Sequence, residues 1–267
     1  MNIKHYTVFI NSMVMLLLSS LASAMSADAK TVFEESFDDI PVGAFTESEA
    51  ASRWPSIKWA QLRGRFSIVE NQKQGHTLRA KYPAGGVGPS ESGGQFPLYF
   101  EPADEYTLSY KLYFEEGFEF VLGGKLPGLA SGGEKYSGGI HAKTGDGWTA
   151  RFMYREQGQA EVYLYYVDNP EQWGHSVLLG DLKFETGKWY TIVQRIKLNK
   201  PGQADALLQV WVNDEMLLDK QNFRLRLGEK GQIDSFYFST FFGGNQPHWA
   251  PKKDVYIQFD DITIVRP

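Results

Sequence analysis

Side chains able to hold an anion or move a proton crowd one short stretch, Trp148 to Asp168, "WTARFMYREQGQAEVYLYYVD". Two alternating runs flank Glu156–Gln157–Gly158, and Gly158 suits the left-handed position that closes a three-residue hairpin loop. Centring the hairpin on Gln157 pairs Arg155 with Gln159, Met153 with Glu161, Arg151 with Tyr163, and Thr149 with Tyr165. Directly opposed residues share a side of the sheet. One face therefore carries Thr149, Arg151, Met153, Glu161, Tyr163 and Tyr165. The other carries Ala150, Phe152, Tyr154, Val162, Leu164 and Tyr166, which reads as the core side. An arginine fork suits a carboxylate bidentately. A tyrosine can give or take a proton once nearby cations lower its pKa from about 10. A second cation, Lys125, sits in the glycine-rich "VLGGKLPGLASGGEKYSGG". There Pro127 and Gly128 fit the two central positions of a type II turn. Lys125 would then project from the end of a preceding strand, in phase with Glu119, Val121 and Gly123, and bare Gly123 and Gly124 would let a polymer approach the backbone. The bland alternatives are a solvated outer face for the hairpin and a tight solvated loop for the lysine.

Such side chains need strands to hold them. No segment keeps a helical period for three turns, whereas period-two alternation recurs. In "EYTLSYKLYF", Tyr106, Leu108, Tyr110, Leu112 and Phe114 share one face, and "KWYTIVQRIKLN" places Tyr190, Ile192, Ile196 and Leu198 together. "ALLQVWVNDEMLLD" reads as a hairpin turning at Asn213–Asp214, and "IDSFYFSTFF" and "DVYIQFDDITIV" add further strands. The opening "TVFEESFDD" is expected to pair near the final strand. Short strands at close spacing predict an all-β fold, an antiparallel two-sheet sandwich or jelly roll, as one domain over 25–267.

Residues 1–24 read as a secretory signal peptide. Lys4 and His5 precede an apolar run from Tyr6 to Leu18, and "LASA" ends at Ala24. The run is shorter than the ~18–20 residues of a spanning helix, and no later segment is apolar enough to cross a bilayer. A secreted or periplasmic monomer is expected. The 267 residues include no cysteine, which excludes disulfides, thiolate catalysis and zinc–cysteine sites. Removing Lys4 takes the net charge from −5 to −6, and a mildly acidic chain argues against nucleic acid as a partner. Glycine (27), tyrosine (14) and phenylalanine (18) suit strands, turns and aromatic carbohydrate platforms.

Taken together, "GGKLPGL", "WTARFMYR", the "VYLYY" strand and the late "STFFGGNQPHWAPKKDVYIQFDDI" resemble the alginate and glucuronan lyases of polysaccharide lyase family 14. The resemblance covers most of the mature chain. It implies a β-jelly roll whose concave cleft binds an acidic polysaccharide. It places the family's loop lysine on Lys125, its strand arginine on Arg151 and its tyrosine pair on Tyr163 and Tyr165. The family's frequent serine two before the arginine is Thr149 here, a hydroxyl with an added methyl.

The activity so implied is β-elimination of a uronate polymer. The C5 proton is weakly acidic until the adjacent carboxylate is neutralised, a task for Lys125 or Arg151. A tyrosine would serve as base and acid, with Tyr165 favoured over Tyr163 and Lys125 the other candidate base. His141 is a further candidate base, or else a structural histidine. Gln246, His248 and Trp249 lie in a loop expected to contact sugar, Trp249 by stacking. The acidic pairs Asp38–Asp39 and Asp260–Asp261 show no recognisable cation-loop spacing, so neither metal nor cofactor is expected. Two other classes compete. A jelly-roll hydrolase needs paired carboxylates, for which Glu115, Glu116 and Glu119 are the candidates. A non-catalytic carbohydrate-binding module or lectin could use the same arginine and tyrosines.

Overall fold

The computed structural model describes residues 29–267, so the expected signal peptide lies outside the described residues. The strands in chain order are β1 Lys30–Glu35, β2 Gly43–Ala44, β3 Phe66–Asn71, β4 Gly75–Tyr82, β5 Gly94–Ala103, β6 Glu105–Phe114, β7 Gly123–Ser131 and β8 Trp148–Arg155. There follow β9 Gln159–Tyr165, β10 His175–Lys183, β11 Trp189–Lys197, β12 Ala206–Val212, β13 Glu215–Phe223, β14 Ile233–Phe242 and β15 Val255–Arg266. They form two antiparallel sheets packed face to face. One has nine strands in the order β13-β12-β11-β6-β15-β4-β3-β2, with β1 on β15, and the other six in the order β10-β9-β8-β7-β14-β5. This is the jelly-roll sandwich read from the alternation. β1 pairs with β15 from Lys30 opposite Arg266, and β12 and β13 turn at Asn213–Asp214, both in left-handed backbone.

The core fills the space between the sheets. Phe152, Tyr154, Val162 and Leu164 of the six-stranded sheet and Tyr110, Leu112, Phe114 and Phe259 of the other are fully buried or nearly so. Tyr110 meets Phe152 edge-on at 6.3 Å, and Phe114 meets Tyr154 at 5.5 Å. Truncating a buried phenylalanine such as Phe152 to alanine costs ~3–5 kcal/mol. The outward-facing residues of β8 and β9 are thus backed by a closely packed wall.

β8 and β9 pair in the register read from the sequence: Thr149 opposite Tyr165, Arg151 opposite Tyr163, Met153 opposite Glu161. The turn expected at Pro127–Gly128 is corrected. Gly123–Ser131 is one strand, β7, inside the sheet between β8 and β14. Pro127 has no amide hydrogen, and it sits where the register shifts against both neighbours, so no ladder bond is missed. The glycines have a packing role of their own. A methyl on Gly128 would lie 2.1 Å from the Ala150 carbonyl oxygen, and one on Gly124 2.2 Å from the Tyr154 hydroxyl. Residues 119–122 are not strand, so Lys125 takes its phase from β7 alone.

Asp39 is bound by Arg53 at 2.6 Å and Asp261 by Lys111 at 2.6 Å. Among the described residues no group of three or more acidic or histidine side chains is placed to hold a metal. Nor is any helix there long and apolar enough to cross a membrane.

Candidate functional site

A cleft of about 1090 Å³ opens on the face of the six-stranded sheet turned away from the core. Its floor comes from Lys125 of β7, Arg151, Met153 and Arg155 of β8, Tyr163 and Tyr165 of β9, and Tyr237 of β14. The rim comes from the loops carrying Trp173 and Trp249. Directly opposed strand residues share a face, which is why Lys125 opposite Met153 and Arg151 opposite Tyr163 converge.

Arg151 is 2% exposed. Its Nη1 donates to Ser239 Oγ at 3.0 Å, its guanidinium lies 5.0 Å from the Tyr237 ring centroid, and its Nε has no partner. None of the ion pairs among the described residues includes it. Glu161, on the same face, is taken by Arg155 at 2.7 Å. A buried charge without a counter-ion is costly. Arg151 thus lines the cleft as a cation with no ion-pair partner among the described residues.

Lys125 Nζ lies 2.6 Å from Met153 Sδ and 3.5 Å from the centroid of the Tyr163 ring. Burial pushes its ammonium well below the usual lysine range, and Arg151 and Arg155 add to the effect against the pull of Glu161. Tyr163 moves the other way: burial raises its phenol well above the usual range, with Tyr165 beside it adding to the rise. The two tyrosine rings meet edge to face at 5.6 Å. The Tyr165 hydroxyl accepts a hydrogen bond from Gly139 N at 3.0 Å.

The other candidates divide. Trp249 lines the cleft, its indole lying on Gly244, where an added methyl would come within 2.4 Å of Cγ. Gln246 and His248 sit exposed in the same loop, off the cleft wall. His141 is also off the wall, with a buried Nδ1 lacking a partner. Thr149 is fully buried and spends its hydroxyl on the Tyr136 carbonyl at 2.7 Å, which fixes the β7–β8 loop. Glu115 is bound by Arg79 and Glu119 accepts from Lys252 N, both outside the cleft. Sequence reasoning missed Tyr237 and Trp173. Alternation in "DSFYFST" carried the signal for Tyr237, since Ser235, Tyr237 and Ser239 oppose the buried Phe236 and Phe238. Trp173 lies in an aperiodic loop, with no such signal.

The family model of polysaccharide lyase 14 matches residues 70–262. No curated relative matches the sequence. Among solved structures, the PL-14 alginate lyase from Aplysia kurodai is 25% identical with a TM-score of 0.76, over 89% of this chain and 100% of that one. Alginate lyase Aly36B shares the fold at 24% identity and a TM-score of 0.76, over 88% and 96%. The endo-β-1,4-glucuronan lyase of Trichoderma reesei shares it more distantly, at 12% and 0.55, over 88% and 95%. The family match spans both sheets and every strand that floors the cleft, so the chain belongs to polysaccharide lyase family 14.

Proposed function

We propose that the protein is a secreted or periplasmic lyase that cleaves a uronate polymer, alginate first, by β-elimination. The observation that carries this reading is the buried Arg151 guanidinium, which lacks a carboxylate of its own beside a lysine held toward its neutral form. A uronate carboxylate docked on Arg151 completes the ion pair and acidifies the adjacent C5 proton. The neutral Lys125 amine takes that proton. The C5–H electron pair becomes the C4=C5 double bond, the C4–O bond breaks, and the leaving oxygen takes a proton from a tyrosine. Tyr165 suits the acid role: its oxygen accepts from Gly139 N, which leaves its own proton to point elsewhere. Tyr163 offers its ring face to Lys125 and positions it. The proton gained by lysine and the one lost by tyrosine re-equilibrate through solvent, so the cycle closes without oxidant or metal.

Alginate is favoured over glucuronan because the more similar structures are alginate lyases, and an Aly36B mutant was solved with an alginate tetrasaccharide. The test is to incubate the purified protein with alginate and with polyglucuronate and follow ultraviolet absorbance. Elimination raises it through the conjugated double bond. New reducing ends without absorbance would mean hydrolysis, and binding without either would mean a lectin.

A further inference from the structure

Two loops meet beside the tyrosine pair, where a tryptophan of one lies on a glycine of the other. The loop between β7 and β8 brings in Gly139, whose N–H donates to the Tyr165 hydroxyl at 3.0 Å. The loop between β9 and β10 brings in Trp173, which lines the cleft and is 54% exposed. Gly139 has φ +91°, and a methyl built there would lie 2.6 Å from Trp173 Cζ3 and 3.1 Å from Cε3. The indole is therefore seated on the bare Cα of the residue that holds Tyr165. The next residue, Gly174, lies against Tyr163, where an added methyl would come within 2.6 Å of Cε1.

Hydrogen bonds tie down both loops. Trp173 is fixed from behind: its carbonyl accepts from Asn169 Nδ2 at 2.5 Å, and Asn169 Oδ1 accepts from Glu171 N at 3.0 Å. The other loop is anchored at Tyr136, where Thr144 and Asp146 bind its hydroxyl. Between anchor and strand, Ser137–Gly138–Gly139–Ile140 carries two left-handed glycines, the most adaptable backbone available. That turn is closed by Ile140 N–H on the Ser137 carbonyl at 3.1 Å, and Trp173, which lines the cleft, lies on the second of its glycines.

We propose that Trp173 is a positioning residue that couples sugar binding to Tyr165. Its exposed surface is the platform on which a pyranose ring of the polymer stacks, and its seat on Gly139 keeps that N–H on the Tyr165 oxygen. Stacking presses the indole onto Gly139, so an occupied cleft is also an aligned one. The inference rests on the elimination reading for the role of Tyr165, but the platform does not depend on it.

Steady-state kinetics on alginate, paired with calorimetric titration of an alginate tetrasaccharide, test both halves. Trp173→Ala should lower kcat about 10–100-fold, the scale of a misplaced catalytic group, and weaken tetrasaccharide binding several-fold. Trp173→Phe, which keeps a flat ring, should recover most of both. Gly139→Ala strains a left-handed backbone and drives a methyl into the indole, so it should displace both the N–H and the platform and lower kcat and binding together. Should Trp173→Ala fail to fold, the Phe and Gly139 variants still decide. Loss of binding alone, with kcat within twofold of wild type in Trp173→Ala and Gly139→Ala, overturns the coupling. Unchanged binding in Trp173→Ala overturns the platform. If the wild type binds the tetrasaccharide but forms no unsaturated ends, the elimination reading falls, and the binding data alone decide the platform.

Discussion

Lys125 Nζ stands 3.5 Å from the centre of the Tyr163 ring, between an aromatic face and a thioether rather than opposite a carboxylate. That setting moves the two groups apart. The amine is driven toward its neutral form and the phenol of Tyr163 toward its protonated one. An amine held toward its neutral form is what a general base at this position needs, and a phenol kept protonated beside it leaves that task to the lysine. Lys125→Ala should lower turnover on alginate by at least ~10²-fold. Lys125→Arg should fail to rescue it, because a guanidinium stays charged and cannot take a proton. Wild-type rates in the arginine variant would restrict position 125 to charge neutralisation.

Lys125 acts only when deprotonated, so kcat/KM should rise with pH through its folded pKa and then level off. Burial is the main cause of the depression, and Arg151 and Arg155 are the next. Arg155→Met removes one of those cations and also frees Glu161, whose charge pulls the lysine upward. Both changes raise the pKa. The acid limb of the profile should therefore move to higher pH in Arg155→Met, with the plateau less affected. A limb that stays in place would assign it to a group other than Lys125.

The hairpin was legible because its evidence is local. Period-two alternation and the Glu156–Gly158 loop fix which residues oppose one another, and they do so without knowing the rest of the sheet. β7 was not legible for the opposite reason. Its proline and glycines read as a turn, and what makes them a strand is a bulge against β8 and β14 and the room taken by Ala150 and Tyr154. β-propensity depends on the neighbours a strand finds. Thr149 shows a different limit: alternation set the correct side of the sheet, but the Tyr136 carbonyl covers it there.

Arg151 offers a separation of stability from activity. Arg151→Met replaces a 2% exposed, uncompensated charge with an apolar chain of similar length. Exchanging buried charge for apolar packing is often neutral or stabilising. The melting temperature should hold or rise while kcat/KM on alginate falls ~10²–10³-fold, the usual loss on removing one electrostatic stabiliser. A melting point several degrees lower, with activity retained, would make Arg151 a structural residue.

Far from the cleft, Asp260 is 1% exposed, its Oδ1 has no partner, and its pKa is pushed up to about 7. Burial is the main cause; the Asp261 N–H and Lys111 oppose it, and the charges of Asp261 and Asp38 reinforce it. The folded state keeps this proton to about pH 7, whereas the unfolded chain sheds it near 3.9. More protons on the folded state mean that stability falls as pH rises through that window and levels off above it. Asp260→Asn should flatten the fall and stabilise the protein at pH 8 by ~1–3 kcal/mol. Chemical denaturation at pH 5 and pH 8 measures both, and equal slopes in variant and wild type would remove Asp260 as the cause.

Tyr163 and Tyr165 stand on one strand and one face, with ring centres 5.6 Å apart and their planes nearly perpendicular. Geometry gives them unequal tasks. Tyr163 turns its ring toward Lys125, while Tyr165 holds its oxygen on Gly139 N. Changing each to phenylalanine keeps the ring and deletes the hydroxyl. Tyr165→Phe should lose nearly all turnover, ~10²-fold or more, with alginate binding close to wild type, because the lost proton is needed only in the transition state. Tyr163→Phe keeps the face that Lys125 rests on, so it should lose less, and mainly in KM. Calorimetric binding beside initial rates separates the two cases. The reverse ranking would exchange the roles, and wild-type rates in both would take the tyrosines out of the proton transfer altogether.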